Sequence, residues 1–240
     1  MSSNSIVAII LARGGSKGIP NKNLRLFGDL PLVDWCLNAA LKSKKITTVI
    51  LSSDSKEILE RGENLGCEIH HRSPKHAQDK TSSEESMLAV IDEHPLAQSA
   101  DILILVQPTS PLTEAEDFDL ALSLFEKEDF DSLATGTLDH SFTWQVDENG
   151  NAEPNYNPKS RPRRQEMENS RKENGAFYIT KRQIWEEQKC RLGGKIGFYT
   201  MKSFQSIEID TELDWALLEE LILKLGINPQ KFNDIIYNFI

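Results

Sequence analysis

Apolar residues along this chain fall into short β-branched runs separated by stretches with helical spacing. Ile6–Leu11 is fully apolar and leads into Ala12-Arg13-Gly14-Gly15, which predicts a buried parallel strand feeding a loop. Residues 12–25 hold three glycines and one proline, so no regular element is expected there. Residues 32–41 place Leu32, Trp35, Cys36, Ala39 and Ala40 on one helical stripe. A second strand is expected at 47–51, ending in Ser52-Ser53-Asp54-Ser55, where Ser53, Asp54 or Ser55 can cap a helix running to about Leu65. Gly66 sits where a C′ glycine belongs, and 67–70 predicts a short third strand.

Residues 82–91 predict a helix capped by Ser82 or Ser83. Ile102–Val106 is the strongest strand signal and ends in Gln107-Pro108-Thr109-Ser110-Pro111, followed by a helix at 114–125. Strands alternating with helices predict a three-layer α/β domain with a mostly parallel sheet covered on both faces. In such folds ligands bind outside the carboxyl ends of the strands. The loops at those ends are 12–25, 52–55 and 107–111.

Residues 139–173 break the pattern. They show little apolar periodicity and are rich in Asn, Pro and charge, and the stretch is too long for an ordinary loop. It is either a disordered insert or an arm that packs on something, such as a second copy of the chain. Strand-like signals return at 175–180, 197–201 and 206–209. Thr211 caps a helix at Glu212–Leu225 that stops at Gly226, and 228–239 predicts a last short amphipathic helix. No internal repeat or low-complexity tract is present, so 1–240 is expected to be one domain with an inserted arm.

Composition narrows the function. With 240 residues the chain can bury a sizeable core without disulfides or structural metal. Its 27 Lys+Arg against 37 Asp+Glu give a net charge of −10, which argues against general nucleic-acid binding and against anionic membranes. The apolar runs are far too short to span a bilayer, and the first five residues carry no basic stretch of the secretory kind. Cys36, Cys67 and Cys190 are odd in number and widely spaced, forming neither a disulfide framework nor a metal knuckle. A reducing cytoplasm is the expected setting.

Against that acidic background, residues 12–25 carry Arg13, Lys17, Lys22 and Arg25 and no acid. Glycines let main-chain N–H groups approach an anion, and Lys and Arg add charge and forked donors for phosphate. Placed after a first strand, the segment suits a phosphate cradle; the plainer alternative is a solvated basic turn. Neither the Walker sequence nor the dinucleotide fingerprint is present, which removes the main support for a kinase or a hydride-transfer enzyme. At the other end of the chain, Glu208-Ile209-Asp210 has two carboxylates spaced i, i+2, which a strand would point to one face. They suit a Mg²⁺ site shared with a triphosphate. The alternative is that Asp210 merely caps the following helix.

The run from Ile9 through Arg13-Gly14-Gly15-Ser16-Lys17-Gly18-Ile19-Pro20 to Asn23 closely resembles the opening of acylneuraminate cytidylyltransferases, the CMP-nonulosonic acid synthetases. The resemblance continues, in the family's order, through Ser52-Ser53-Asp54-Ser55 and Gln107-Pro108-Thr109-Ser110-Pro111-Leu112. It then extends through Asn174-Gly175-Ala176-Phe177-Tyr178-Ile179 and Ile207-Glu208-Ile209-Asp210-Thr211-Glu212-Leu213-Asp214. One block alone would be weak; five in order are specific.

The resemblance implies a Rossmann-like fold of the nucleotide-diphospho-sugar transferase type. It implies a nucleotidyltransferase that condenses CTP with a nonulosonic acid, giving a CMP-sugar and pyrophosphate with Mg²⁺ or Mn²⁺. It would assign Arg13 and Lys17 to the triphosphate, with Ala12, Gly14, Gly15, Ser16, Lys22 and Asn23 completing the nucleotide grip. Arg72 and Ser83 would lie near base and ribose. Gln107, Arg164, Lys172 and Asn174 would meet the sugar acid, and Asp210 with Glu208 would hold the metal.

In the family the basic stretch around 139–173 projects from the core, mediates dimerisation and helps bind the sugar carboxylate. Here Lys159, Arg161, Arg163, Arg164, Arg171 and Lys172 face Glu166 and Glu168. The chain departs from the family pattern in three places. Glu208 stands where Asp is usual, Lys172 where Arg is common two residues before Asn-Gly-Ala, and Thr143 where sialic-acid-specific relatives carry a lysine. N-acetylneuraminate is the simplest acid; legionaminic, pseudaminic or Kdo-type acids are the alternatives. A non-catalytic CTP-binding subunit is the reading from another class.

Overall fold

The computed structural model describes residues 4–167 and 170–227; Glu168 and the helix expected at 228–239 lie outside the described residues. The elements in order are β1 (Ile6–Leu11), a hairpin of β2 (Leu26–Phe27) and β3 (Leu30–Pro31), α1 (Leu32–Lys42), β4 (Thr48–Ser53), α2 (Lys56–Leu65), β5 (Glu68–His71), α3 (Ser83–Glu93), α4 (Pro95–Gln98), β6 (Ile102–Val106), α5 (Ala115–Lys127) and β7 (Ser132–Leu138). There follow a second hairpin of β8 (Trp144–Val146) and β9 (Ala152–Pro154), then β10 (Arg171–Glu173), β11 (Phe177–Lys181), α6 (Arg182–Gln188), β12 (Ile196–Thr200) and α7 (Glu212–Leu225).

One sheet carries the domain, in the order β7-β11-β6-β1-β4-β5, with β12 and β10 both paired to β7. β1, β4, β5 and β6 are mutually parallel, and β12 runs parallel to β7. β11 is antiparallel to both β6 and β7, so the sheet is mostly parallel as expected.

Alternation along β1 divides the core. Ile6, Ala8 and Ile10 face a layer containing α1, α2 and α5, with Phe118, Leu122 and Phe125 at its centre. Val7 and Ile9 face the opposite layer, built on Met87 and Val90 of α3 and Trp185 of α6. A third cluster joins Ile19, Phe27, Trp35 and Leu112 to Ile209, Trp215, Leu218 and Ile222, clamping the first loop to the segment before α7. Cys36 is core, as its stripe predicted, and the Trp35 and Trp215 rings are buried beside it and in the third cluster.

Three expectations change. Residues 206–209 are not a strand: a short 3₁₀ turn, Ser203–Ser206, precedes an irregular stretch. Within it Ile209 N–H donates to Thr109 O at 2.8 Å. β7 went unrecognised because its sequence, SLATGTL, is neither apolar nor alternating. Its Ser132, Thr135 and Thr137 are buried, and a Cβ on Gly136 would stand 2.1 Å from Lys172 O of β10. The middle segment is not uniformly irregular either: it forms the exposed β8–β9 hairpin and then re-enters the main sheet as β10. Among the described residues no helix is long and apolar enough to cross a membrane.

Candidate active site

β1 hands over to the first loop at Ala12, whose N–H donates to Ser52 O at 3.0 Å. The loop then closes on itself: buried Asn23 donates from Nδ2 to Arg13 O at 2.9 Å. Gly14 N–H is held by Asp54 Oδ1 at 2.8 Å, while Gly15 borders open space. The resulting cleft, about 160 Å³, is lined by Leu11, Arg13, Ser16, Lys22, Asn23, Ser83, Leu105, Gln107, Pro108 and Thr109. The loop after β1, the loop after β6 and the first residue of α3 therefore meet at the carboxyl end of the sheet. Ser83 stands at a helix N-terminus whose capping box is complete, through Ser82 and Glu85. The positive end of that helix dipole favours an anionic neighbour. A cavity of about 550 Å³ lies at the opposite sheet end, around Asp101, Lys181 and Arg182. Position favours the smaller cleft, because parallel sheets place ligands beyond their carboxyl ends.

The cations of the loop are held by acids. Arg13 Nη1 and Lys17 Nζ pair with the two oxygens of Asp79, at 2.7 and 2.9 Å. Lys17 first and Arg13 second hold the Asp79 carboxyl below the usual aspartate range. Lys22 Nζ donates to Ile209 O at 2.7 Å and reaches Asp210 Oδ1 at 3.3 Å. Arg25 leaves the cluster, gripping Glu212 and lying 4.2 Å over the Trp215 ring.

Across the cleft, Asp210 is not the cap of α7. Thr211 caps it, with Asp214 Oδ2 accepting from Thr211 N–H at 2.7 Å. The Asp210 carboxylate is thus free of helix duty and exposed beside Lys22. Glu208 is half-buried; burial, then the neighbouring Asp210, pushes its carboxyl above the usual glutamate range, with Lys172 and Lys22 opposing. A half-buried carboxylate whose charge is disfavoured by burial and by a neighbouring carboxylate suits a divalent cation. Among the described residues no cluster of three or more His, Cys, Asp or Glu is arranged for metal. Mg²⁺ needs only one or two carboxylates when substrate phosphates complete its shell, so the donor set fits.

Gln107 closes another side of the cleft, and Arg72 lies behind the first loop, within the field of Asp54 and Arg13. Arg72 is buried, and that burial pushes its guanidinium down to about 10, with Asp54 opposing and Arg13 adding to the shift. Gln107 Nε2 donates to Gly175 O at 2.6 Å. Gly175 has φ +60°, and a Cβ there would stand 2.9 Å from Gln107 Nε2 and 3.0 Å from Glu208 Oε2, so only glycine lets these three residues meet.

Of the residues expected at the site, Arg13, Ser16, Lys22, Asn23, Ser83 and Gln107 line the cleft. Gly14, Gly15 and Lys17 belong to the same loop, and Glu208 and Asp210 border it. Asn174 needs correction. Its side chain is 1% exposed and turned inward, Nδ2 donating to Gln205 O and Oδ1 accepting from Thr135 and Ala176 N–H. It braces the turn that presents Gly175 and has no amide left for a ligand. Arg164 is exposed on the arm turn Arg164–Glu166, and no hydrogen bond or ion pair among the described residues ties it to the cleft. Lys172 is exposed on β10 and acts on Glu208. Asp79 escaped notice because nothing in the polar stretch 73–82 distinguishes it. His70 is buried, 6% exposed.

Residues 7–237 match the family model described as cytidylyltransferase. The chain belongs to the cytidylyltransferase family. It is 37% identical over 228 residues to N-acylneuraminate cytidylyltransferase A of Danio rerio, covering 93% of this chain and 52% of that protein. It is 29% identical over 235 residues to CMP-N,N'-diacetyllegionaminic acid synthase of Legionella pneumophila, covering 90% of this chain and 96% of that protein. The chain therefore spans about half the length of the fish relative and nearly all of the bacterial one. In fold this cytidylyltransferase is similar to CMP:2-keto-3-deoxy-manno-octonic acid synthetase complexed with CTP, at TM-score 0.66 and 18% identity, over 92% of this chain and 99% of that chain.

Proposed function

We propose that this cytidylyltransferase condenses CTP with a nonulosonic acid, N-acetylneuraminate being the leading candidate, to give the CMP-sugar and pyrophosphate. The observation that carries the reading is a single cleft at the carboxyl ends of the strands, with Arg13, Lys17 and Lys22 on one side and Glu208 and Asp210 on the other. The anomeric hydroxyl attacks the α-phosphorus in line, and pyrophosphate leaves with the bridging oxygen. Such transfers depend on positioning and charge neutralisation more than on covalent catalysis. Arg13 and Lys17 release Asp79 and take the triphosphate. Lys22, fixed by Ile209 O, keeps a cation between phosphate and acids. Gly14 and Gly15 bring main chain close to the anion, and Ser16 and Asn23 complete the grip. Arg72 and Ser83 serve the nucleoside.

Glu208 and Asp210 would hold Mg²⁺ or Mn²⁺, which when bound neutralises phosphate charge. Gln107 and Lys172, with Arg164 from the arm, serve the sugar acid; a carboxylate ligand suits their donors and charge. The names of the fish and Legionella relatives support a nonulosonic acid; legionaminic, pseudaminic and Kdo-type acids are the alternatives. Exposed Leu138, Trp144 and Val146 support a homodimer through residues 139–173, and the three free cysteines suit a reducing cytoplasm.

Pyrophosphate release tests this. The protein is incubated with CTP and Mg²⁺ and one acid at a time: N-acetylneuraminate, legionaminate, pseudaminate or Kdo. Release with one acid is expected. CTP binding with no release for any acid would favour a non-catalytic subunit, and no CTP binding would overturn the cradle itself.

A further inference from the structure

Behind Arg72 lies a chain of polar contacts that the reaction above does not use. Ser52 on β4 and His70 on β5 are direct cross-strand partners, and both are buried. Ser52 Oγ lies 2.9 Å from His70 Nδ1. Arg72 Nε donates to the same Oγ at 3.1 Å, and Arg72 Nη2 donates to Ser52 O at 2.7 Å. On the far side, His70 Nε2 lies 3.1 Å from Glu93 Oε2 at the end of α3.

The proton positions follow from what each group can do. Arginine only donates, and a carboxylate only accepts. Burial favours the neutral ring, and in that state Glu93 takes a hydrogen from Nε2, which leaves Nδ1 as an acceptor. Ser52 Oγ accepts from Arg72 and passes its own hydrogen to Nδ1. Each polar group in the buried stretch has one role, and the direction runs from Arg72 through Ser52 and His70 to Glu93. Two of the five guanidinium N–H groups are spent on Ser52, so the plane of the fork is fixed and its other three donors are aimed.

We propose that His70 is a positioning residue: by orienting the Ser52 hydroxyl it locks the Arg72 fork for the nucleoside of the bound nucleotide. The proposal rests on the reading that this cleft takes CTP. It assigns His70 no contact with substrate. Unlocking Arg72 loosens nucleotide binding and leaves the phosphoryl step, which belongs to the first loop, unaffected.

The groups facing His70 give the lock a pH dependence. Glu93 from α3 favours a charged ring; Arg72, following β5, and His94, following α3, oppose it, and burial is the largest influence, holding His70 below the usual histidine range. A proton on Nδ1 removes the acceptor for Ser52 and sets a second cation beside Arg72.

The test uses the full chain and three variants: His70→Leu, which keeps bulk without an acceptor, His70→Asn, whose amide oxygen can replace Nδ1, and Ser52→Ala. CTP binding is measured by calorimetry and steady-state turnover by pyrophosphate release, with melting temperature as the folding control. His70→Leu and Ser52→Ala are each expected to raise KM and Kd for CTP by about tenfold, the loss of one hydrogen bond to a charged group, with kcat within about twofold. The double variant should be no worse than either single one, because both break one chain of contacts. His70→Asn should recover most of the affinity. It should also lack the acid-side rise in KM expected of the unmodified protein. Unchanged CTP affinity in folded His70→Leu and Ser52→Ala, or equal losses in His70→Leu and His70→Asn, would overturn the lock while the CTP reading stands. Failure of the unmodified protein to bind CTP would remove both.

Discussion

Gly18 lies flat against the main chain of Asp210: a Cβ on Gly18 would stand 2.6 Å from the Asp210 carbonyl oxygen. The loop after the first strand and the acidic segment before the last helix, 192 positions apart, are thereby packed backbone against backbone. Since the obstacle is a carbonyl and not a flexible side chain, neither partner can yield cheaply. Gly18→Ala is expected to cost about 1–3 kcal/mol, lowering the melting temperature by about 2–12 °C. By displacing Asp210 from Lys22 it should also reduce kcat/KM on the order of tenfold to a hundredfold. Thermal unfolding alongside turnover checks this; an unchanged melting temperature would contradict the packing.

Asp79 holds Arg13 and Lys17 where a triphosphate would otherwise sit. Asp79→Asn removes that competitor and is expected to tighten CTP binding about twofold to fivefold at low salt, the scale of exposed ion pairs. Raising the ionic strength should shrink the difference. Titration calorimetry at two salt concentrations is the measurement, and weaker binding in the variant would show that Asp79 helps the bound state.

If Lys17 stabilises charge developing on the phosphates, Lys17→Ala should lower kcat on the order of 10²–10³-fold. A loss below about threefold would remove it from the transition state. Steady-state kinetics at saturating CTP decides.

Asp210 and Asp214 are four residues apart, and the structure gives them different work. Asp210→Asn should weaken the dependence of the rate on Mg²⁺ concentration with little change in stability. Asp214→Ala should cost about 1 kcal/mol through the lost cap contact, and Asp214→Asn, whose amide oxygen still accepts, should leave the Mg²⁺ dependence intact. Equal Mg²⁺ titrations for Asp210→Asn and Asp214→Asn would count against the metal role of Asp210.

The Glu208 carboxyl titrates above its unfolded value because burial and Asp210 disfavour its charge. Between the unfolded and folded values the native state binds the extra proton, so stability falls as pH rises through that window, and the full penalty applies above it. Glu208→Gln should therefore be more stable than the unmodified protein at pH 7–8 and no more stable near pH 4 or below. Mg²⁺ should stabilise the unmodified protein more than the variant. Denaturant unfolding across pH, with and without Mg²⁺, tests the sign.

The sequence exposed most clearly what depends on burial. Ile6–Leu11 and Ile102–Val106 are runs of apolar side chains covered on both faces, and both became central strands. The caps Ser82 and Thr211 and the stop at Gly66 announced three helix ends, because each has a local chemical cause. The first loop was legible as a cluster of cations in an acidic chain. β7 was not, because its buried side chains include Ser132, Thr135 and Thr137, whose hydroxyls find partners only in the folded sheet, such as Ser132 with Gly193 O. Asp79 and the Ser52–His70–Arg72 chain were hidden for a related reason: their partners come from other strands and loops, and no spacing records that. The role given to Asn174 failed because a polar residue beside a cleft can face either way, and the buried carbonyl of Gln205 claims this one.

β10 and β11 are separated by only three residues, Asn174 to Ala176, a turn whose Gly175 carbonyl holds Gln107 of the cleft lining. β10 emerges from the arm and pairs with β7; β11 is wedged between β6 and β7. The turn is therefore strung between a strand paired on both sides, β11, and one paired on a single side, β10. A pull on the arm would travel along three peptide units to Gly175, and from there to Gln107 and Glu208, without crossing a hinge. A displacement of the arm would therefore reach Gly175, Gln107 and Glu208 with only two residues in between, Glu173 and Asn174.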